Sequence, residues 1–192
     1  MKLVYGVGIN DRARVSSTDG VIVKEYALWI AMLKRCYSKK FHEYKPNYIG
    51  CTISDDFKKY SYFYDWCNQQ IGFNLPDYEL DKDLLSGENK IYSPSTCCFL
   101  PKSLNLLITN LKSNKGELPS GVSLDKRYGT YLAKLRVDGR QIYIGTFKSE
   151  LEAWIAYKNA KESEIKRQAL RFKEQISKSA FEKLFNYVVQ GE

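Results

Sequence analysis

Histidine is almost missing from this chain. The one imidazole, His42, sits in a polar stretch, and none of the five cysteines (Cys36, Cys51, Cys67, Cys97 and Cys98) stands in a CxxC pair. That pattern lacks the spacing of a structural zinc site, so no zinc is expected. The cysteine count is odd, and Cys97 and Cys98 are adjacent. Both facts favour reduced thiols in a cytoplasmic setting over a disulfide framework. Long apolar runs are lacking too. No stretch approaches the roughly 18 apolar residues of a membrane span, so no membrane partner is expected. The opening residues MKLVYGVGIN have no apolar region after their lysine and are not expected to act as a signal peptide. No pattern calls for a small-molecule substrate or fixes an oligomeric state, and no internal repeat is visible.

Positive charge and tyrosine are what the chain has in quantity. Thirty Lys and Arg against 22 Asp and Glu leave a net charge of +8, and there are 15 tyrosines. A basic surplus suits a polyanionic partner, and Tyr both stacks on bases and bonds phosphates. Many of these tyrosines can equally be core or strand residues. Hydrophobic residues make up 44% of the 192. That is enough for a packed core in one domain or two small ones.

Periodicity gives a coarse map. Residues 1–22 read as an extended lead-in. Residues 24–37 read as an amphipathic helix with Tyr26, Trp29, Ile30, Leu33 and Cys36 on one face. Lys34, Arg35, Lys39 and Lys40 make its end basic, which suits the helix dipole and can face phosphate. Residues 48–53 read as a short strand. Ser54-Asp55-Asp56 is an N-terminal cap signal. The helix it opens carries Phe57, Tyr60, Phe63, Tyr64, Trp66 and Cys67. Residues 78–85 read as a strand, Gly87-Glu88-Asn89 as a turn, and 104–111 as a short helix. The polar stretch 112–120 is the expected linker.

A compact unit follows. Residues 121–124 form a short strand, 131–137 alternate cleanly, Asp138-Gly139 is a hairpin turn, and 141–145 alternate again. Ser149 and Glu152 make a capping box for a helix bearing Ala153, Ala156, Tyr157 and Ala160. Alternation places Tyr131, Ala133, Leu135 and Val137 on one face and Leu132, Lys134 and Arg136 on the other. Ile142 and Ile144 oppose Gln141 and Tyr143. With a helix over the apolar face, the open face carries Lys134, Arg136, Gln141 and Tyr143, with Arg127 and Arg140 at the turns. Such a face can enter a major groove, or it can be the solvated side of a small sheet.

Residues 121–161 resemble the APETALA-type (ethylene-response-factor) DNA-binding domain. The shared elements are Gly121-Val122, Ala133, Ile144-Gly145-Thr146-Phe147, and Glu152-Ala153 through Ala156-Tyr157. The resemblance implies duplex binding through the sheet by Arg127, Lys134, Arg136 and Arg140.

Residues 26–105 resemble phage-type homing endonucleases of the HNH class. The shared elements are Trp29, Met32-Leu33-Lys34-Arg35-Cys36-Tyr37, Leu80-Asp81-Lys82-Asp83, Tyr92-Ser93-Pro94-Ser95-Thr96-Cys97 and Asn105. The resemblance implies a ββα-metal body in which one divalent cation, Mg²⁺ if the site is active, is held by Asp81 and the residue at Thr96. Lys82 stands where the family keeps its general-base histidine, and Thr96 where it keeps a ligand Asn. An ordinary lysine, with a pKa near 10.4, is protonated at neutral pH. Lys82 can serve as base only if burial lowers that value, and as a cation it can hold a phosphate instead. Asp83 is the second carboxylate of the group. Three readings of Asp81, Lys82 and Asp83 stay open: an altered nuclease site with Lys82 and Asp83 catalytic, a lapsed remnant on a DNA-binding scaffold, or a surface ion pair.

The expected fold is therefore α+β. An HNH-like body (1–111) precedes the linker, a three-stranded antiparallel sheet packed on a helix (121–162) and a helical C-terminal tail (163–192). The expected partner is double-stranded DNA, cut or nicked with a divalent metal in the cytoplasm, which is the host's if a bacteriophage encodes the chain. The alternatives are a catalytically lapsed DNA-binding regulator or counter-defence protein, and a protein that binds a host protein instead.

Overall fold

The computed structural model describes residues 3–87, 89–109 and 118–190. It is an α+β chain of small sheets with a C-terminal helix, in two compact units. Residues 1–100 and 175–180 make the first, and 101–174 with 181–192 the second. Most of the expected linker, residues 112–117, lies outside the described residues, as does Glu88 of the expected turn.

The first unit begins with a two-stranded ribbon, β1 (Ser17–Thr18) and β2 (Val21–Ile22). Helix α1 (Lys24–Tyr37) has the expected bounds and buries Trp29, Met32, Leu33 and Cys36. Helix α2 (Lys39–Tyr44) follows, its first turn held by the Ser38 hydroxyl on the Phe41 N–H. The strand expected over 48–53 shrinks to β3 (Thr52–Ile53). Pro46 fixes φ at a 3₁₀ turn over Pro46–Tyr48, which uses up the approach to it.

The aromatic helix is two helices, α3 (Asp55–Lys58) and α4 (Tyr60–Gln69), broken at Lys59. The break has a partner. The lead-in crosses here, with the Ile9 N–H on the Lys58 carbonyl (2.8 Å) and the Tyr60 N–H on the Ile9 carbonyl (2.9 Å). Ser54 stands at the expected cap position but does not cap: its buried hydroxyl finds no partner among the described residues.

Aromatic packing holds this core. The Trp29 Nε1–H donates to the Phe57 carbonyl (2.8 Å). Phe57 meets Phe63 and Trp66 edge-on, with centroids 5.0 and 4.8 Å apart. Pairs of this kind add about 1 kcal/mol each beyond area burial.

Strand β4 (Tyr78–Asp81) is half as long as expected, because α5 (Asp83–Ser86) begins at once. The Leu84 N–H bonds the Asp81 carboxylate (2.9 Å), which holds that first turn in place of a continuing strand. Strand β5 (Ile91–Tyr92) lies parallel to β3, and β6 (Cys98–Pro101) pairs with β4.

The second unit opens with α6 (Lys102–Ile108). Strands β7 (Val122–Asp125), β8 (Thr130–Val137) and β9 (Arg140–Phe147) form an antiparallel sheet in chain order. Asp138 (φ 49°) and Gly139 (φ 77°) make the two-residue primed turn. Ser149 and Glu152 complete their capping box at the start of α7 (Glu150–Arg171), a single helix of 22 residues that covers the sheet. Ala133, Leu135 and Val137 are buried beneath it. A 3₁₀ turn (Lys173–Gln175) and α8 (Lys178–Phe185) follow.

Candidate nucleic-acid interface and carboxylate site

The register of β8 and β9 decides what the open face presents. Lys134 lies opposite Tyr143, and Arg136 lies opposite Gln141. The four open-face candidates therefore form two adjacent cross-strand rows. Between Ala133 and Lys134 the register slips by one residue. Gly145 faces Ala133 and Tyr143 faces Lys134, so Ile144 is the extra residue of a bulge on β9. Plain alternation expects Ile142 on the covered side. It pairs with Leu135 but is 47% exposed, because β9 is an edge strand.

Tyr143 is exposed, and its hydroxyl lies 2.6 Å from the Thr146 hydroxyl. Arg136 is exposed and its Nε donates to the Gly139 carbonyl (3.3 Å). That bond braces the guanidinium beside the hairpin. Arg140 is exposed at the other side of the same turn. Arg127 is exposed in the β7–β8 turn, whose backbone is held by the Asp125 carboxylate on the Arg127 N–H (3.0 Å). The turns and rows thus offer four cations and two polar side chains.

The carboxylate site lies in the first unit. Asp81 is buried at the end of β4. Burial pushes its pKa up to about 6; the Leu84 N–H opposes the shift and the Asp83 charge adds to it. Lys82 is buried beside it, its ammonium paired with the exposed Asp83 carboxylate and 5.5 Å from the Tyr92 ring centroid. Burial disfavours the Lys82 charge, but the bond to Asp83 and its charge outweigh this and hold the pKa above the ordinary lysine value. Lys82 is therefore a cation at neutral pH and does not accept a proton in this arrangement.

Thr96 belongs to the turn after β5. Its hydroxyl donates to the Ile91 carbonyl (2.7 Å) and accepts the Ser93 N–H (2.9 Å). Among the described residues, no group of three or more His, Cys, Asp or Glu is placed to hold a metal ion. With Asp83 on an ammonium and Thr96 committed to its turn, the donors do not make a multidentate cage for Mg²⁺. They leave one buried carboxylate, which suits only a cation brought in largely on substrate phosphates.

His42 lies on α2, outside the Asp81–Thr96 segment, and its Nε2 donates to the Arg35 carbonyl at 2.7 Å. Arg35 itself was read from sequence only as part of a basic helix end. It is half-buried and its charge lies near Tyr92, so two cations, Arg35 and Lys82, flank one tyrosine. Helical spacing puts Arg35 one residue before the core residue Cys36, a signal too weak to find this. The five thiols are free and buried; burial pushes Cys97 up to about 12 and leaves it protonated.

Comparison with protein-family models, with curated proteins and with solved structures finds no match for this chain. Among the described residues no helix is long and apolar enough to cross a membrane.

Proposed function

We propose that this chain binds double-stranded DNA through the open face of β7–β9, as the resemblance to APETALA-type domains implies. The observation that carries this reading is the pairing of Lys134 with Tyr143 and of Arg136 with Gln141. Two residues along a strand advance about 6.8 Å, close to two base-pair steps of about 3.4 Å. The rows are thus spaced to follow a groove, with Arg136 and Gln141 able to meet base edges and Lys134 to meet phosphate. Arg127 and Arg140 extend the contact along the backbone.

Replacing Lys134 and Arg136 together by Ala should weaken duplex binding about tenfold or more and flatten its salt dependence. A fluorescence-anisotropy titration at several salt concentrations checks this. Unchanged affinity and slope would remove the sheet from the interface.

A second reading, that of a homing-endonuclease-like nuclease or nickase, has one observation in its favour: a buried carboxylate, Asp81, with a raised pKa beside a fixed cation. In that reading Asp81 meets a substrate-borne Mg²⁺ and Lys82, braced by Asp83, holds the scissile phosphate. Supercoiled plasmid incubated with Mg²⁺ or Mn²⁺ should be relaxed or linearised by the wild type and left intact by Asp81→Asn. Plasmid that is shifted on a gel but uncut leaves the chain a non-catalytic DNA-binding regulator.

A further inference from the structure

A cavity of about 220 Å³ opens in the second unit, where β8 runs on past the start of β7. Lys134, Arg136 and Lys161 lie on its lining, with Thr109, Ser120 and Gln141 as polar neighbours. Among the described lining residues none is acidic. Lys161, on α7, is only 4% exposed. Its ammonium lies 5.9 Å from the Tyr157 ring centroid, and a cavity with three cationic residues in its wall gathers positive potential that attracts a small anion.

Size and chemistry narrow the ligand. The volume accommodates a tetrahedral oxyanion with water but not a nucleoside stacked on a base. Hydroxyl, amide and ammonium groups together match phosphate oxygens, which accept several hydrogen bonds at once. Two of the cations, Lys134 and Arg136, also belong to the candidate DNA face. We propose that this cavity seats one phosphoryl group, with Lys161 as its innermost cation. In the form that deepens the DNA-binding reading and rests on it, the group is a backbone phosphate of the bound duplex. The same chemistry fits free phosphate.

The probes are a DNA duplex and inorganic phosphate, against the wild type, Lys161→Met, which keeps the stem and drops the charge, and Lys161→Arg. Thr109→Glu, an exposed site on the rim, adds a competing carboxylate without disturbing the core and serves if Lys161→Met does not fold. For a backbone phosphate, Lys161→Met and Thr109→Glu should each bind duplex about fivefold more weakly. The slope of log affinity against log salt should fall by about one, with Lys161→Arg close to wild type. For free phosphate, duplex binding is unchanged, while phosphate shifts the amide resonances around Lys134 and Lys161 in the wild type and not in these variants. Variants that leave both readouts at wild-type values overturn the seat while the duplex reading stands. A wild type that binds no duplex sinks the duplex reading and the backbone form together, and the phosphate titration alone then decides the seat.

Discussion

Asp81→Asn should make the protein more stable at pH 7.5, by about 2 kcal/mol. The carboxyl has its ordinary pKa, 3.8, in the unfolded chain and about 6 in the folded one. Below pH 3.8 it is protonated in both states and costs nothing. As pH rises the unfolded chain ionises first, and the folded state loses stability until the pH passes about 6. A shift of about two units corresponds to about 3 kcal/mol at neutral pH. The asparagine oxygen can still take the Leu84 N–H, while burying its amide protons returns about 1 kcal/mol. Urea unfolding of both proteins at pH 4 and pH 7.5 measures the difference, which should be large at pH 7.5 and close to nil at pH 4. An equal gap at both values would show that burial does not raise the Asp81 pKa. Ionisable groups retained at a cost in stability cluster at functional sites, so a positive result strengthens the case for the plasmid assay on the same variant.

Gly121→Ala should unfold the second unit more easily, by about 3 kcal/mol. Gly121 has φ +79°, a region that costs an L-residue about 1–2 kcal/mol. A Cβ there would lie 2.1 Å from Cδ2 and 2.2 Å from Cε2 of Tyr157, which packs under the sheet from α7. Overpacking of this kind adds about 1–3 kcal/mol. The Gly121 carbonyl also accepts the Lys134 N–H (2.8 Å), so displacement of this residue reaches the Lys134–Tyr143 row directly. Denaturant unfolding should show the loss, and duplex affinity should fall with it. In the double variant with Tyr157→Ala the two effects should be less than additive, since the ring that clashes is gone. A Gly121→Ala protein within 1 kcal/mol of wild type would mean that the ring swings aside freely.

What could be read from the residues follows from how local each determinant is. Helix α1 was legible to its bounds because its apolar spacing and the breaks around it act within a few residues. The Asp138-Gly139 turn and the Ser149–Glu152 box were legible for the same reason. The break at Lys59 was not, because its cause is Ile9, fifty residues earlier. The short β4 was missed because Asp81 bonds ahead to Leu84, which turns an apparently continuous strand into a helix start. Ser54 illustrates the opposite error: the cap sequence is present, but the helix it precedes is one turn long and the hydroxyl bonds nothing among the described residues.

The candidate sites divide in the same way. The open face was legible residue by residue, since alternation is a backbone property; only the bulge at Ile144 and the exposed Ile142 depart from it. The charge state of Lys82 was not legible. It depends on whether the gain from Asp83 exceeds the loss from burial, and that balance exists only in the folded chain. The engagement of Thr96 with Ile91 and Ser93, and the meeting of Arg35 with Tyr92, are likewise products of tertiary placement.

Residues 175–180 return to the first unit after the chain has built most of the second. Gln175 accepts a hydrogen bond from the Tyr78 hydroxyl (3.0 Å), and Ile176 and Ala180 are buried. On the ribosome this order matters. The first hundred residues emerge early but stay one segment short until residues 175–180 have left the exit tunnel. A chain cut off near residue 174 would therefore lack the buried Ile176 and Ala180 of the first unit and the buried Leu184 of the second, leaving apolar surface of both open to chaperones and proteases.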